Sequence, residues 1–178
     1  MTRMFSRSIA GGLIAAGVAL AGCSGPPPTQ QAMTKKPPAP ELDVLAVVRA
    51  AGADAKDTLE VQPLRDPVIA DLRQAAAQHE ATSDWRRADA ALEQALALSP
   101  GDPELLQWRA ELALVQGDYN VAVELANASW EQGPRLGALC RRNWTTVRLV
   151  REWTDYPAAA QAAAEQLARC THEPPVRM

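Results

Sequence analysis

The chain has 178 residues, with 18 Lys and Arg against 21 Asp and Glu and a net charge of −3. That length holds one compact domain plus a linker rather than two domains, and the near-neutral balance excludes a generally basic, nucleic-acid-coating protein. Aromatic content is 4% and alanine is abundant, which favours helices packed closely through small side chains, with the five tryptophans supplying much of the large buried area.

The first segment has a basic start at Arg3 and Arg7, an apolar stretch from Ile9 to Leu20 that is too short for a stable membrane anchor, and then small residues. This is the pattern of an export signal. Leu20-Ala21-Gly22-Cys23 resembles the lipobox of bacterial lipoproteins. The resemblance implies cleavage before Cys23, acylation of its thiol and a third acyl chain on the new amino end. Residues 1–22 are then the signal peptide. Ser24 resembles the residue found in lipoproteins passed to the outer membrane, so a periplasm-facing anchor in that membrane is expected.

Residues 23–40 carry Pro26, Pro27, Pro28, Pro37, Pro38 and Pro40 between polar residues, which prevents a helix and favours an extended, polyproline-like spacer. At about 3.1 Å per residue it reaches up to roughly 50 Å. Residues 41–66 divide in two. From Glu41 to Ala51 the apolar residues Leu42, Leu45 and Val48 predict a short helix closed by Gly52. Residues 53–66, with Val61, Pro63 and Pro67 around them, predict an extended connection or a brief strand with no evident partner.

From Pro67 the chain repeats itself at an offset of 34. Leu72 answers Leu106, Ala76 answers Ala110, Asp84 answers Asp118, Trp85 answers Tyr119, Ala88 answers Ala122 and Pro100 answers Pro134. The types have physical roles: Asp caps the second helix, the aromatic anchors the turn, and Ala permits close helix approach. A looser third copy at an offset of 37 sets Asp155, Tyr156 and Ala159 against Asp118, Tyr119 and Ala122, implying about one extra turn in the helix before them. These residues resemble the tetratricopeptide repeat, over 69–102, 103–136 and the second half of 137–170. The expected fold is all-α, a short array of antiparallel helix hairpins over residues 67–171, followed by a tail at 172–178. His79 and Ala113 stand where that family usually has a bulky aromatic, and Arg109 replaces its leucine beside Trp108.

In the compartment that the lipobox implies, the remaining pair Cys140 and Cys170 is expected to be bridged, the alternative being two buried thiols. An antiparallel third hairpin brings the two together. No motif assembles a nucleophile with a base, and the only histidines are His79 and His172, so no catalysis, metal or cofactor is expected. His79 reads as a partly buried imidazole.

Arg135, Arg141, Arg142, Arg148 and Arg151 run without an intervening acid. Arg141 and Arg148, seven apart, share a helical face. The resemblance implies that such first-helix residues, with Arg73, Gln107, Glu111 and Leu114 upstream, line a peptide groove, which an acidic or carboxylate-ended peptide would suit. The alternative is an arginine face paired with Glu152 or with acids of the preceding repeat. Trp85, Trp130 and Trp144 fall on apolar stripes, whereas Trp108 and Trp153 lie off them and are candidate exposed anchors for a partner. The expected role is an adaptor or scaffold for an envelope protein or peptide, held to the membrane by acyl chains on Cys23. Its rivals are an envelope enzyme subunit whose site assembles only in the fold, and a structural protein packing through its end faces. Nucleic acid is not an expected partner.

Overall fold

Asp side chains and prolines set where most of the helices begin. The computed structural model describes residues 43–53 and 66–171. The signal segment, Cys23, the Pro-rich linker, the connection at 54–65 and the tail with His172 lie outside them. Among the described residues there are seven α-helices and no strand: α1 Val44–Ala53, α2 Pro67–Ala81, α3 Trp85–Leu98, α4 Pro103–Gln116, α5 Tyr119–Gln132, α6 Gly137–Trp153 and α7 Pro157–Arg169. Asp66 accepts from the Val68 N–H before α2, Asp84 from the Arg87 N–H in α3, and Asp102 from the Glu104 and Leu105 N–H groups in α4. Each satisfies donors that the first helical turn leaves open. Pro67, Pro103 and Pro157 occupy first helical positions, where a missing N–H costs nothing. No described helix is long and apolar enough to cross a membrane.

The helices pair as hairpins, α2 with α3, α4 with α5 and α6 with α7, and successive hairpins stack through α3 against α4 and α5 against α6. The fold is an all-α array of helical hairpins. Equivalent alanines, Ala88, Ala122 and Ala160, are buried in the three second helices, where a small side chain lets neighbouring helices approach. The register of the third copy differs by one residue from the sequence expectation. Trp85 and Tyr119, the first residues of α3 and α5, are 34 apart, but Tyr119 and Pro157, the first residues of α5 and α7, are 38 apart. Tyr156 rather than Asp155 therefore occupies the cap position, and Asp155 takes the turn place before it, with φ 61° where Gly117 has φ 81° and Ser83 has φ 57°. Asp tolerates this left-handed conformation better than most residues.

Two apolar clusters share α4. Leu105 and Leu112 pack with Ile69, Ala76, Ala88 and Leu92, while Ala110, Ala113 and Leu114 pack with Ala122, Ala126, Val147 and Val150. A helix buried on two sides cannot carry a single apolar stripe, which is why the first-helix pattern is weak in this part of the sequence. Cys140 near the start of α6 is bridged to Cys170 after α7, with 5.6 Å between their Cα atoms, and both are buried.

Helix α1 belongs to the array. It packs on α6 and α4, the first helices of the third and second hairpins. It runs from Val44 through Gly52, so Gly52 does not close it. The glycine is buried against Arg142, whose Cγ and Cδ a Cβ there would meet at 3.0 Å. Its role is close approach, not capping.

Candidate functional site

The first helices of the hairpins form one face, and α1 lies on it. Val48 of α1 is fully buried among Ala110, Ala113, Leu114 and Val147. The next residue, Arg49, reaches into a polar network built by α2, α4 and α6. Its Nη2 donates to Glu80 Oε2 at 3.0 Å and its Nε to Glu111 Oε2 at 3.0 Å. The other carboxylate oxygen of Glu111 accepts from Arg142 Nε at 2.8 Å and from Gln107 Nε2 at 3.1 Å. Gln107 also donates to Thr146 Oγ1 at 3.0 Å, and the Trp108 indole N–H donates to Glu80 Oε2 at 2.6 Å. A chain of contacts thus runs from Trp108 through Glu80, Arg49 and Glu111 to Arg142 and Thr146.

Glu111 and Gln107 are fully buried, and a buried carboxylate is tolerated only where cations and donors replace its water. Burial works against the charge of Arg49, but hydrogen bonds and proximity to Glu80 and Glu111 outweigh it and hold the guanidinium above its ordinary range. Burial likewise acts to raise Glu80, yet the donors on Arg49 and Trp108 prevail and hold its carboxyl below the usual glutamate value. Beside α1 a cleft of about 880 Å³ stays open, lined by Arg49, Arg73, Glu80, Trp85, Trp108 and Arg142 among others.

The residues assigned to a groove from the sequence fare differently. Arg73 and Trp108 do line this cleft, with the guanidinium 5.5 Å from the indole centroid and Arg73 Nη2 donating to Glu104 at 3.1 Å. Gln107 and Glu111 do not line it and are fully buried members of the network under α1. Leu114 is not a groove residue: at 3% exposure it belongs to the core, because α4 packs on two sides. Arg148 pairs with Glu152 one turn along α6, and Arg141 reaches the Gly52 carbonyl at 3.4 Å and Thr171 at 3.5 Å. The rest of the arginine run is dispersed over separate partners, with Arg142 on Glu111 and Arg135 3.6 Å above the Trp130 ring. Trp153 is not an exposed anchor. It is partly buried against the second cluster, with its ring edge-on to Tyr119 at 5.9 Å between centroids. Trp108 is likewise partly buried against the first cluster, held by Glu80.

Arg49, Glu80 and Thr146 were absent from the sequence assignment. Arg49 did leave a trace: it is the only charge in α1 and lies on the face of Leu45, Val48 and Gly52, where a cation points at a buried acid. Compared with known proteins, the chain matches no family model, no curated protein and no solved structure.

Proposed function

We propose that the protein is a periplasmic adaptor, anchored in the outer membrane by acyl chains on Cys23, whose hairpin array binds an envelope protein through the face of its first helices. The observation that carries this reading is the seat under α1, where side chains from α2, α4 and α6 hold a helical segment by apolar packing around buried Val48 and by a shared ion network. A surface organised in this way grips a chain segment, whereas residues arranged for chemistry would leave a reactive group facing open space. The lipid anchor rests on Leu20-Ala21-Gly22-Cys23 and its basic, apolar leader. Confinement to a thin layer would raise the local concentration of the domain at a neighbouring envelope machine.

Two measurements test the reading. Radiolabelled palmitate should enter the wild-type chain and not Cys23→Ala; no labelling of the wild type removes the anchor. A photocrosslinking amino acid at position 77, on the cleft wall, should trap one discrete envelope protein in intact cells, and one on the outer face at position 161 should not. Equal trapping at both positions removes the adaptor role.

A further inference from the structure

Helix α1 shows what the first-helix face accepts. It has ten residues, fewer than the roughly 12 to 15 that an isolated helix needs to persist in water, so its helicity depends on the seat. Leu45, Val48, Arg49 and Gly52 lie at positions i, i+3, i+4 and i+7 of the face turned to the seat, and Val44 and Val47 pack beside Val48 on the apolar cluster. Each selects something different. Val48 needs an apolar side chain, Gly52 sits where Arg142 leaves room only for a small residue, and Arg49 supplies a cation to two carboxylates.

Without α1, Glu111 would keep Arg142 and Gln107, and Glu80 would keep only the Trp108 indole among these contacts. The bare seat is therefore acidic at its middle and apolar beside it. That chemistry fits a basic amphipathic helix better than the acidic peptide expected from the arginine run. Arg49 itself is 38% exposed along its side chain, and α1 enters neither the stacking of the hairpins nor the disulfide.

We propose that this face is a receptor for a short helix of the pattern apolar-x-x-apolar-Arg-x-x-small, that α1 is its resident occupant, and that a partner helix of the same pattern takes the place of α1. The proposal rests on the adaptor reading and adds the partner's chemistry and its regulation. The resident helix lowers the apparent affinity of any competitor by the fraction of time the seat is closed.

The test uses a peptide spanning Asp43–Ala53, labelled with fluorescein at its amino end and amidated at its carboxyl end, titrated by anisotropy onto the full chain. Arg49→Glu in the full chain releases the resident helix, so this variant should bind the peptide at least tenfold more tightly than the unaltered chain. A peptide that itself carries the Arg49→Glu change should bind neither. Equal peptide binding by the two chains overturns the proposal. Hydrogen exchange on the unaltered chain decides the matter independently, even if the variant fails to fold. Amides of α1 should exchange at least tenfold faster than those of α4, and equal protection overturns the proposal. Crosslinking of an envelope partner with no peptide uptake leaves the adaptor reading standing without this exchange, while uptake with no crosslinked partner does the reverse.

Discussion

Arg49 and Glu111 are 62 residues apart in the chain, yet Nε and Oε2 meet at 3.0 Å across the boundary between α1 and α4. The acid is wholly buried and the base partly exposed. Such a contact does more to position a segment than to stabilise the whole, because a half-exposed cation keeps much of its hydration.

Arg49→Met should destabilise the protein by about 1–3 kcal/mol in urea denaturation, between the values for exposed and for fully buried pairs because Arg49 is partly solvated. Combined with Glu80→Gln, the loss should be smaller than the sum of the two single losses, since both remove the same contact. Strict additivity would show that the pair contributes nothing.

The carboxyl of Glu80 is held below its ordinary value, which is about 4.3 in an unfolded chain. A depressed folded-state pKa gives stability that is fully present above the unfolded value and lost as pH falls through the folded one. The stability difference between wild type and Glu80→Gln should therefore be largest near neutral pH and shrink as the pH falls below the unfolded value and through the lower folded one. A difference that does not change with pH would contradict an ionised Glu80 bound to Arg49.

Replacing both Cys140 and Cys170 by serine opens a loop whose ends are 30 residues apart. Loop-closure entropy puts the cost at roughly 3–4 kcal/mol. Thermal unfolding with and without reductant should show the wild type falling to the level of the double variant, and no change on reduction would mean that the bridge adds nothing.

Gly52→Leu places a branched side chain where even a Cβ touches Arg142 at 3.0 Å. The expected cost is about 1–3 kcal/mol, typical of overpacking, and it should appear as faster amide exchange in α1 with α7 unchanged. Uniform acceleration across all helices would show that α1 is not a separable unit.

Asn143 is 1% exposed, and neither its amide nitrogen nor its oxygen has a hydrogen-bond partner. Asn143→Leu, similar in volume, should raise stability by about 1–2 kcal/mol in urea denaturation. A loss would mean that the amide makes contacts worth keeping.

Much of the architecture was legible because the hairpins repeat their turn chemistry: Asp84 and Asp118 before the second helices, and Ala88 and Ala122 at the close contacts. The third copy slipped by one residue because Asp155 and Tyr156 mimic that cap pair, while the backbone places Asp155 in the turn and starts α7 at Pro157. The seat was less legible. Its residues come from three helices, and local periodicity cannot show that α1 returns onto α4 and α6. Gly52 looked like a helix end because close approach and capping leave the same letter in a sequence. For Arg148 the sequence leaves open a ligand contact or a pairing with Glu152, and one turn of helix gives it the second.

The double duty of α4 has a mechanical consequence. Since Leu112 closes one cluster and Leu114, two residues along, closes the other, neither outer hairpin can melt without stripping a wall from its neighbour. The three hairpins should therefore come apart in a single step, and tension applied through the amino end would peel α1 away first and meet one indivisible block behind it.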